Sequence, residues 1–176
     1  AIVSTLAEYV EPGFPPALQH LFSEAMDNLH RVTIHGYTLA WVLLTTDIFV
    51  PGLSRVSDRL MELSETDALL LGHYYTKRRG NDLYDEGRLA IIGRSRIPEV
   101  RLNHLFSPIG GGGHPQAAFV TLREEHPEER LSQLMADLTH QIPIAPMARD
   151  LMSSPVRTIR PDTTIEQAQR ILFCYR

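Results

Sequence analysis

Apolar side chains recur at Leu18, Leu21, Phe22, Ala25 and Leu29, the three-and-four spacing that lines one face of a helix. Pro15-Pro16 opens that segment, because a first helical turn makes no use of the N–H that proline lacks. Ahead of it, Ile2, Val3, Leu6, Tyr9 and Val10 keep helical spacing up to the breaker Pro12-Gly13. From Arg31 to Thr46 the period shortens. Val32, Ile34, Tyr37, Leu39, Trp41, Val42, Leu43 and Leu44 are β-rich, and Gly36 divides them into two strands. Pro51-Gly52 leads a helix with Leu53, Val56, Leu60 and Leu63 on one face. Ala68 to Tyr75 is a nearly continuous apolar run, the pattern of a strand covered on both sides.

The charged run Lys77-Arg78-Arg79-Gly80-Asn81-Asp82 reads as a hairpin loop, and Leu89 to Gly93 as the returning strand. A short segment from Val100 to Phe106 leads into Gly110-Gly111-Gly112-Gly113-His114, and Phe119 to Leu122 gives another strand. Pro127 to Ile142 is strongly amphipathic, with Leu131, Leu134, Met135, Leu138 and Ile142 on one stripe. Pro143 and Pro146 mark a linker. Beyond it, Val156 to Ile159 predicts a strand and Thr163 to Leu172 a helix, a pair too small to bury both its faces alone. The expected fold is α/β, a mixed sheet of about five strands with flanking helices. Residues 1–30 are expected as a helical linker, 31–142 as the α/β domain, and 143–176 as a linker with a truncated strand–helix of a second domain.

Composition narrows the class. Of 176 residues, 43% are apolar and 22% charged, values of a globular chain and not of a disordered or fibrous one. The single cysteine, Cys174, excludes an internal disulfide framework and any zinc site built on paired thiolates. No apolar run approaches the roughly 18 residues of a membrane helix, so the expectation is a soluble, cytoplasmic protein with no membrane partner. A net charge of −4 excludes a polycation that coats nucleic acid, so any grip on phosphate must be local. No Met opens the chain, and it stops inside an apolar helical pattern at Phe173-Cys174-Tyr175-Arg176. The expectation is a piece of a longer protein.

The glycine run carries the sharpest chemical signal. Glycines allow close backbone approach, so successive N–H groups can converge on one anion. A helix starting near Pro115 would add the positive end of its dipole, and His114 would donate a hydrogen bond at the mouth. The alternative is a flexible linker with a chance histidine. The position of the run between core elements, followed by Ala117-Ala118, weighs against a linker. Arg94-Ser95 stands at a predicted strand end, where a guanidinium can fork onto a phosphate or simply be solvated. Arg96 is a weaker candidate. Lys77-Arg78-Arg79 reads as a hydrophilic hairpin tip, and His35, His73, His104 and His140 show no metal-ligand spacing.

Taken together, Gly93-Arg94-Ser95 followed by the glycines, His114, Pro115, Gln116, Ala117 and Ala118 resembles the DHH-associated, substrate-binding domain of the DHH (Asp-His-His) phosphoesterase superfamily. The resemblance covers roughly Val32 to Ile142 and departs at Phe119, where many members carry a further glycine. The tail from Ala148 to Pro155 and on through Asp162-Thr163-Thr164-Ile165 to Ala168 looks like the start of a CBS domain. That order of domains is similar to bacterial tRNA nucleotidyltransferase and poly(A) polymerase-like proteins.

The resemblance implies binding roles for Arg94, Ser95, Gly111, Gly112, Gly113 and His114. It implies catalysis elsewhere, on two divalent metals (manganese or magnesium) held by a separate DHH domain. This chain has neither an Asp-His-His tripeptide nor an Asp-x-Asp pair, so it is expected to hold no metal, cofactor or catalytic residue of its own. The implied function is a phosphate-binding domain for short RNA, single-stranded nucleic acid or a nucleotide, within a larger RNA-processing enzyme. The implied partners are adjacent DHH, CBS and polymerase domains, and a homodimer stays open. The competing reading is a non-catalytic packing module that couples CBS ligand binding to polymerase activity.

Overall fold

The computed structural model describes residues 15–77, 86–144, 147–152 and 158–174. The expected helix over 2–10, residues 78–85 of the expected hairpin loop, and Val156 with residue 157 of the expected strand lie outside them. The chain divides into two compact units, 1–144 and 145–176.

In the first unit, α1 (Pro16–Asp27) precedes a hairpin of β1 (His30–Ile34) and β2 (Tyr37–Thr46). Then come α2 (Leu53–Leu63), β3 (Ala68–Lys77) and β4 (Glu86–Ser95). A short α3 (Leu102–Phe106) runs through the 3-10 turn Ser107–Ile109 into β5 (Gly112–His114), β6 (Ala117–Arg123) and α4 (Pro127–Thr139). The strands form one mixed sheet of six in the order β1-β2-β3-β4-β6-β5. Only the β2–β3 pairing is parallel, with α2 in the connection between those strands. The sheet therefore has one strand more than the periodicity suggested. The extra one is β5, made of glycines and His114. No helix begins at Pro115, because Pro115-Gln116 is the two-residue turn joining β5 to β6.

Alternation of side chains builds two cores. Leu39, Leu70, Leu89, Ile91, Ala118 and Val120 face α3 and α4, where they meet Leu102, Phe106, Leu131 and Leu138. Val42, Leu44, Leu69, Leu71 and Ile92 face the other way onto Leu18, Phe22 and Ala25 of α1 and Val56 and Leu60 of α2. Helix α1 is thus a layer of this unit as well as its approach. β3 is apolar on both sides because both sides are covered. In β6 only Ala118 and Val120 are buried, while Phe119, Thr121 and Arg123 are exposed. One face of β6 and its neighbour β5 is left open by this arrangement.

The second unit holds a single turn, α5 (Ala148–Leu151), and α6 (Ile165–Cys174). Thr158–Arg160 has no regular structure. Leu151, Ile165 and Phe173 are exposed. No helix among those residues is long and apolar enough to cross a membrane.

Candidate functional site

The antiparallel register brings the two motifs into one row. Arg94 on β4 lies opposite Ala117 on β6, and Ala117 lies opposite His114 on β5. Residues directly opposite in an antiparallel pair point to the same face, so Arg94, Ala117 and His114 share the α2 side of the sheet. Two strand spacings separate the outer two, about 10 Å between Cα atoms. Small Ala117 between them leaves the space above the row open.

Each side chain is held differently. Arg94 Nε donates to Asp58 Oδ1 of α2 at 2.5 Å, and Nη1 donates to its own neighbour, the Gly93 carbonyl, at 3.3 Å. Asp58 is mostly exposed, and such a pair contributes at most about 1 kcal/mol. It aims the guanidinium without locking it. His114 is exposed, and its Nδ1 accepts the Gln116 N–H at 3.3 Å. That acceptor role puts the proton of the neutral ring on Nε2, which is then a donor directed away from the turn.

The four glycines are not equivalent. Gly110 takes φ +81 to end the 3-10 turn, and its N–H donates to the Ser107 carbonyl. Gly111 donates to the Phe106 carbonyl, and a Cβ there would meet Phe106, Val120 and the Phe119 carbonyl at 2.6–2.8 Å. Gly113 takes φ +134 against Ala117 and Ala118. Gly112 has neither constraint: its φ is not in the left-handed range and nothing lies within 4 Å of its Cβ direction. The picture of four converging N–H groups is therefore corrected. The amides of Gly110 and Gly111 close the preceding helical turn, and Gly111 is packed, leaving Gly112 and Gly113 on the edge strand. Alternate amides of an edge strand point away from its partner.

Ser95 is a second correction. It is buried, and its Oγ accepts the Ile97 N–H at 3.1 Å, so it turns the chain after β4 and does not face the open row. Its own N–H holds the Gln116 carbonyl at 2.9 Å, while Leu102 N–H holds the Pro115 carbonyl at 2.8 Å. The arginine-serine motif thus braces the turn that presents His114. Arg96 is exposed beside it, with its N–H on the Asp67 carbonyl.

As a donor set, a guanidinium and an imidazole N–H suit an anion. The one carboxylate present, Asp58, is already paired with Arg94, and no three metal-ligating side chains converge among the described residues. The row does not fit a divalent cation.

No protein-family model matches the chain. It is 28% identical over 99% of its length to an A-adding tRNA nucleotidyltransferase of Geobacter sulfurreducens, of which it covers 19%. It is 22% identical over 93% of its length to the A-adding tRNA nucleotidyltransferase of Aquifex aeolicus, of which it covers 18%. It spans under a fifth of either relative. Among solved structures it is similar in fold to an exopolyphosphatase-related protein of Bacteroides fragilis, with a TM-score of 0.50 and 13% identity, over 75% of this chain and 36% of that one.

Reading the sequence by its motifs passed over two residues of this surface. Asp58 sits on the exposed side of α2, and nothing local in the sequence signals that β4 ends beneath it. The motif reading makes Phe119 the start of a strand and a departure from the family pattern, with no role in binding. The alternation Ala118, Val120 buried against Phe119, Thr121 exposed is the signal that would have placed it on the open face.

Proposed function

We propose that residues 15–144 are a nucleotide-phosphate-binding domain of the DHH-associated type, working inside a larger RNA-processing protein like the tRNA nucleotidyltransferases it is similar to. The observation that carries this reading is the row Arg94–Ala117–His114 beside Gly112, a glycine that the fold itself does not require. A backbone kept bare where no neighbour crowds it is explained by a ligand that comes close. The phosphate takes the Arg94 guanidinium on one side and the His114 Nε2–H on the other, over the small Ala117 between them. Short RNA, a single strand or a nucleotide all present that group. The carboxylates and divalent metals for hydrolysis, and the machinery for nucleotide addition, belong to adjacent DHH, CBS and polymerase domains of the parent, with residues 143–176 as the start of the CBS part.

Calorimetric titration of the chain with AMP at low salt tests the reading. Arg94→Ala and His114→Ala should each weaken binding by about 1–3 kcal/mol, the worth of a hydrogen bond to a charged group. Gly112→Val should weaken it while the sheet stays folded, and the slope of log affinity against log salt should correspond to only one or two phosphates, about one to two in magnitude. Binding that ignores all three substitutions would overturn it. The engagement of Arg94 by Asp58 and of the Gly110 and Gly111 amides by the Ser107 and Phe106 carbonyls favours a second reading. In it the loop is a structural corner of a non-catalytic module coupling CBS ligands to polymerase activity, and AMP does not bind.

A further inference from the structure

Phe119 is a large apolar side chain, 45% exposed, in the middle of a strand where its neighbours Ala118 and Val120 are buried. Its place in the register is specific. It lies opposite Ile92 on one side and Gly112 on the other, so it points to the same face as Arg94, Ala117 and His114. It stands one two-residue repeat along β6 from Ala117, about 7 Å, which is the scale of base-to-phosphate separation within one nucleotide. Ile92, its buried cross-strand neighbour on β4, flanks it on one side, while Gly112 offers no side chain to cover it from β5. The ring thus has a bare neighbour on the sheet edge, and cationic or donor groups lie one step away.

Resting on the phosphate site proposed above, we infer that Phe119 is the stacking platform for the nucleobase whose phosphate lies between Arg94 and His114. The ligand class that follows is a nucleotide or the end of a single RNA strand, as opposed to a bare phosphate or polyphosphate. An aromatic face accepts any base, so the subsite adds affinity without strong base selection. Charge complementarity points to a nucleotide and not to an apolar protein segment: a segment that covered Phe119 would also have to bury the Arg94 guanidinium and the His114 donor, whereas a nucleotide pairs both with its phosphate.

The test compares AMP with ribose 5-phosphate on the full 176-residue chain. AMP should bind roughly 5- to 150-fold more tightly, the span given by stacking one base on an aromatic ring. Phe119→Leu, which keeps an apolar residue at this exposed strand position, should remove that advantage and leave ribose 5-phosphate affinity unchanged. The adenine H2 and H8 proton resonances should move upfield on binding the parent chain and not on binding the Leu variant. Phe119→Trp should retain both effects, so the question stays answerable if the Leu variant folds poorly. Equal affinity for AMP and ribose 5-phosphate, both still lost in Arg94→Ala, would overturn the stacking site while the phosphate site stands. Failure of both ligands to bind would remove the phosphate site and this inference with it.

Discussion

Strands β2 and β3 lie between two helical layers, whereas β5 and β6 carry helices on one face only. In the covered half nearly every position answers to packing: Leu69, Leu70 and Leu71 are fully buried in sequence, and even His73 is. In the open half alternate positions are released from that demand, and there the chain places Phe119, Thr121, Gly112 and His114. Packing and binding are thus divided between the two ends of one sheet. The constraint that makes β3 legible as a strand also makes it uninformative about ligands, because apolar residues there would be required in any case.

The largest expected effect comes from charging the covered half. Thr46 Oγ1 gives its proton to the Ile48 carbonyl at 2.6 Å, so His73 Nε2 donates to that oxygen at 2.7 Å. Nδ1 is buried with no partner among the described residues. Burial lowers the ring's pKa from 6.5 to about 4, so the folded state resists a proton that the unfolded chain accepts. The resulting stability is complete above pH 6.5 and is lost as pH falls from there toward 4. The whole loss is about 3 kcal/mol. Urea unfolding at pH 7, 5 and 4 should show it, and in His73→Phe that part of the decline should vanish. Glu124 is held below its usual range, chiefly by the Arg130 hydrogen bond. An unchanged decline in the Phe variant would mean that carboxylates and not His73 set the acid limit.

Next in size is the contrast between two adjacent glycines at the border of the halves. Gly111→Ala forces a Cβ to 2.6 Å from Val120 and 2.8 Å from Phe106, and overpacking of this kind costs about 1–3 kcal/mol. Gly112→Ala meets nothing and should stay within about 0.5 kcal/mol of the parent. Denaturant midpoints of the two variants decide it. Equal losses would show that Gly112 is also a packing residue, and its link to a ligand would lapse.

Periodicity found α1, α2 and α4 because each keeps an apolar stripe over three or more turns, and found β2, β3 and β4 because buried strands read as apolar runs. It missed β5, since Gly112 and Gly113 have no side chains to alternate and the strand exists only by pairing with β6. Likewise Pro115, a good first helical residue, is a turn residue here because the register of β5 on β6 leaves just Pro115 and Gln116 between them. The candidate site was legible by residue type but not by direction. Arg94 and Ser95 are neighbours in sequence, yet alternation sends Arg94 to the open face and Ser95 into the core. Only the identity of the pairing strands decides which of the two is exposed.

The smallest effect sharpens what the open half is for. Asp58 pairs with Arg94 from the mostly exposed side of α2, so Asp58→Asn should change stability by less than about 1 kcal/mol. Its consequence for binding is more telling. The carboxylate competes with an incoming phosphate for the guanidinium and repels it, while an amide still accepts from Nε without the charge. Phosphate or AMP affinity should therefore rise, by no more than about five-fold, the equivalent of the same 1 kcal/mol. The gain should shrink as salt is added, because the interaction removed is a screened surface charge. Paired titrations of the parent chain and the Asn variant at low and moderate salt measure it. A fall in affinity would reverse the assignment, making Asp58 the group that orients Arg94 toward the ligand. No change at either salt would mean that Arg94 does not reach the phosphate at all, leaving the row of Arg94, Ala117 and His114 a geometric fact without a ligand.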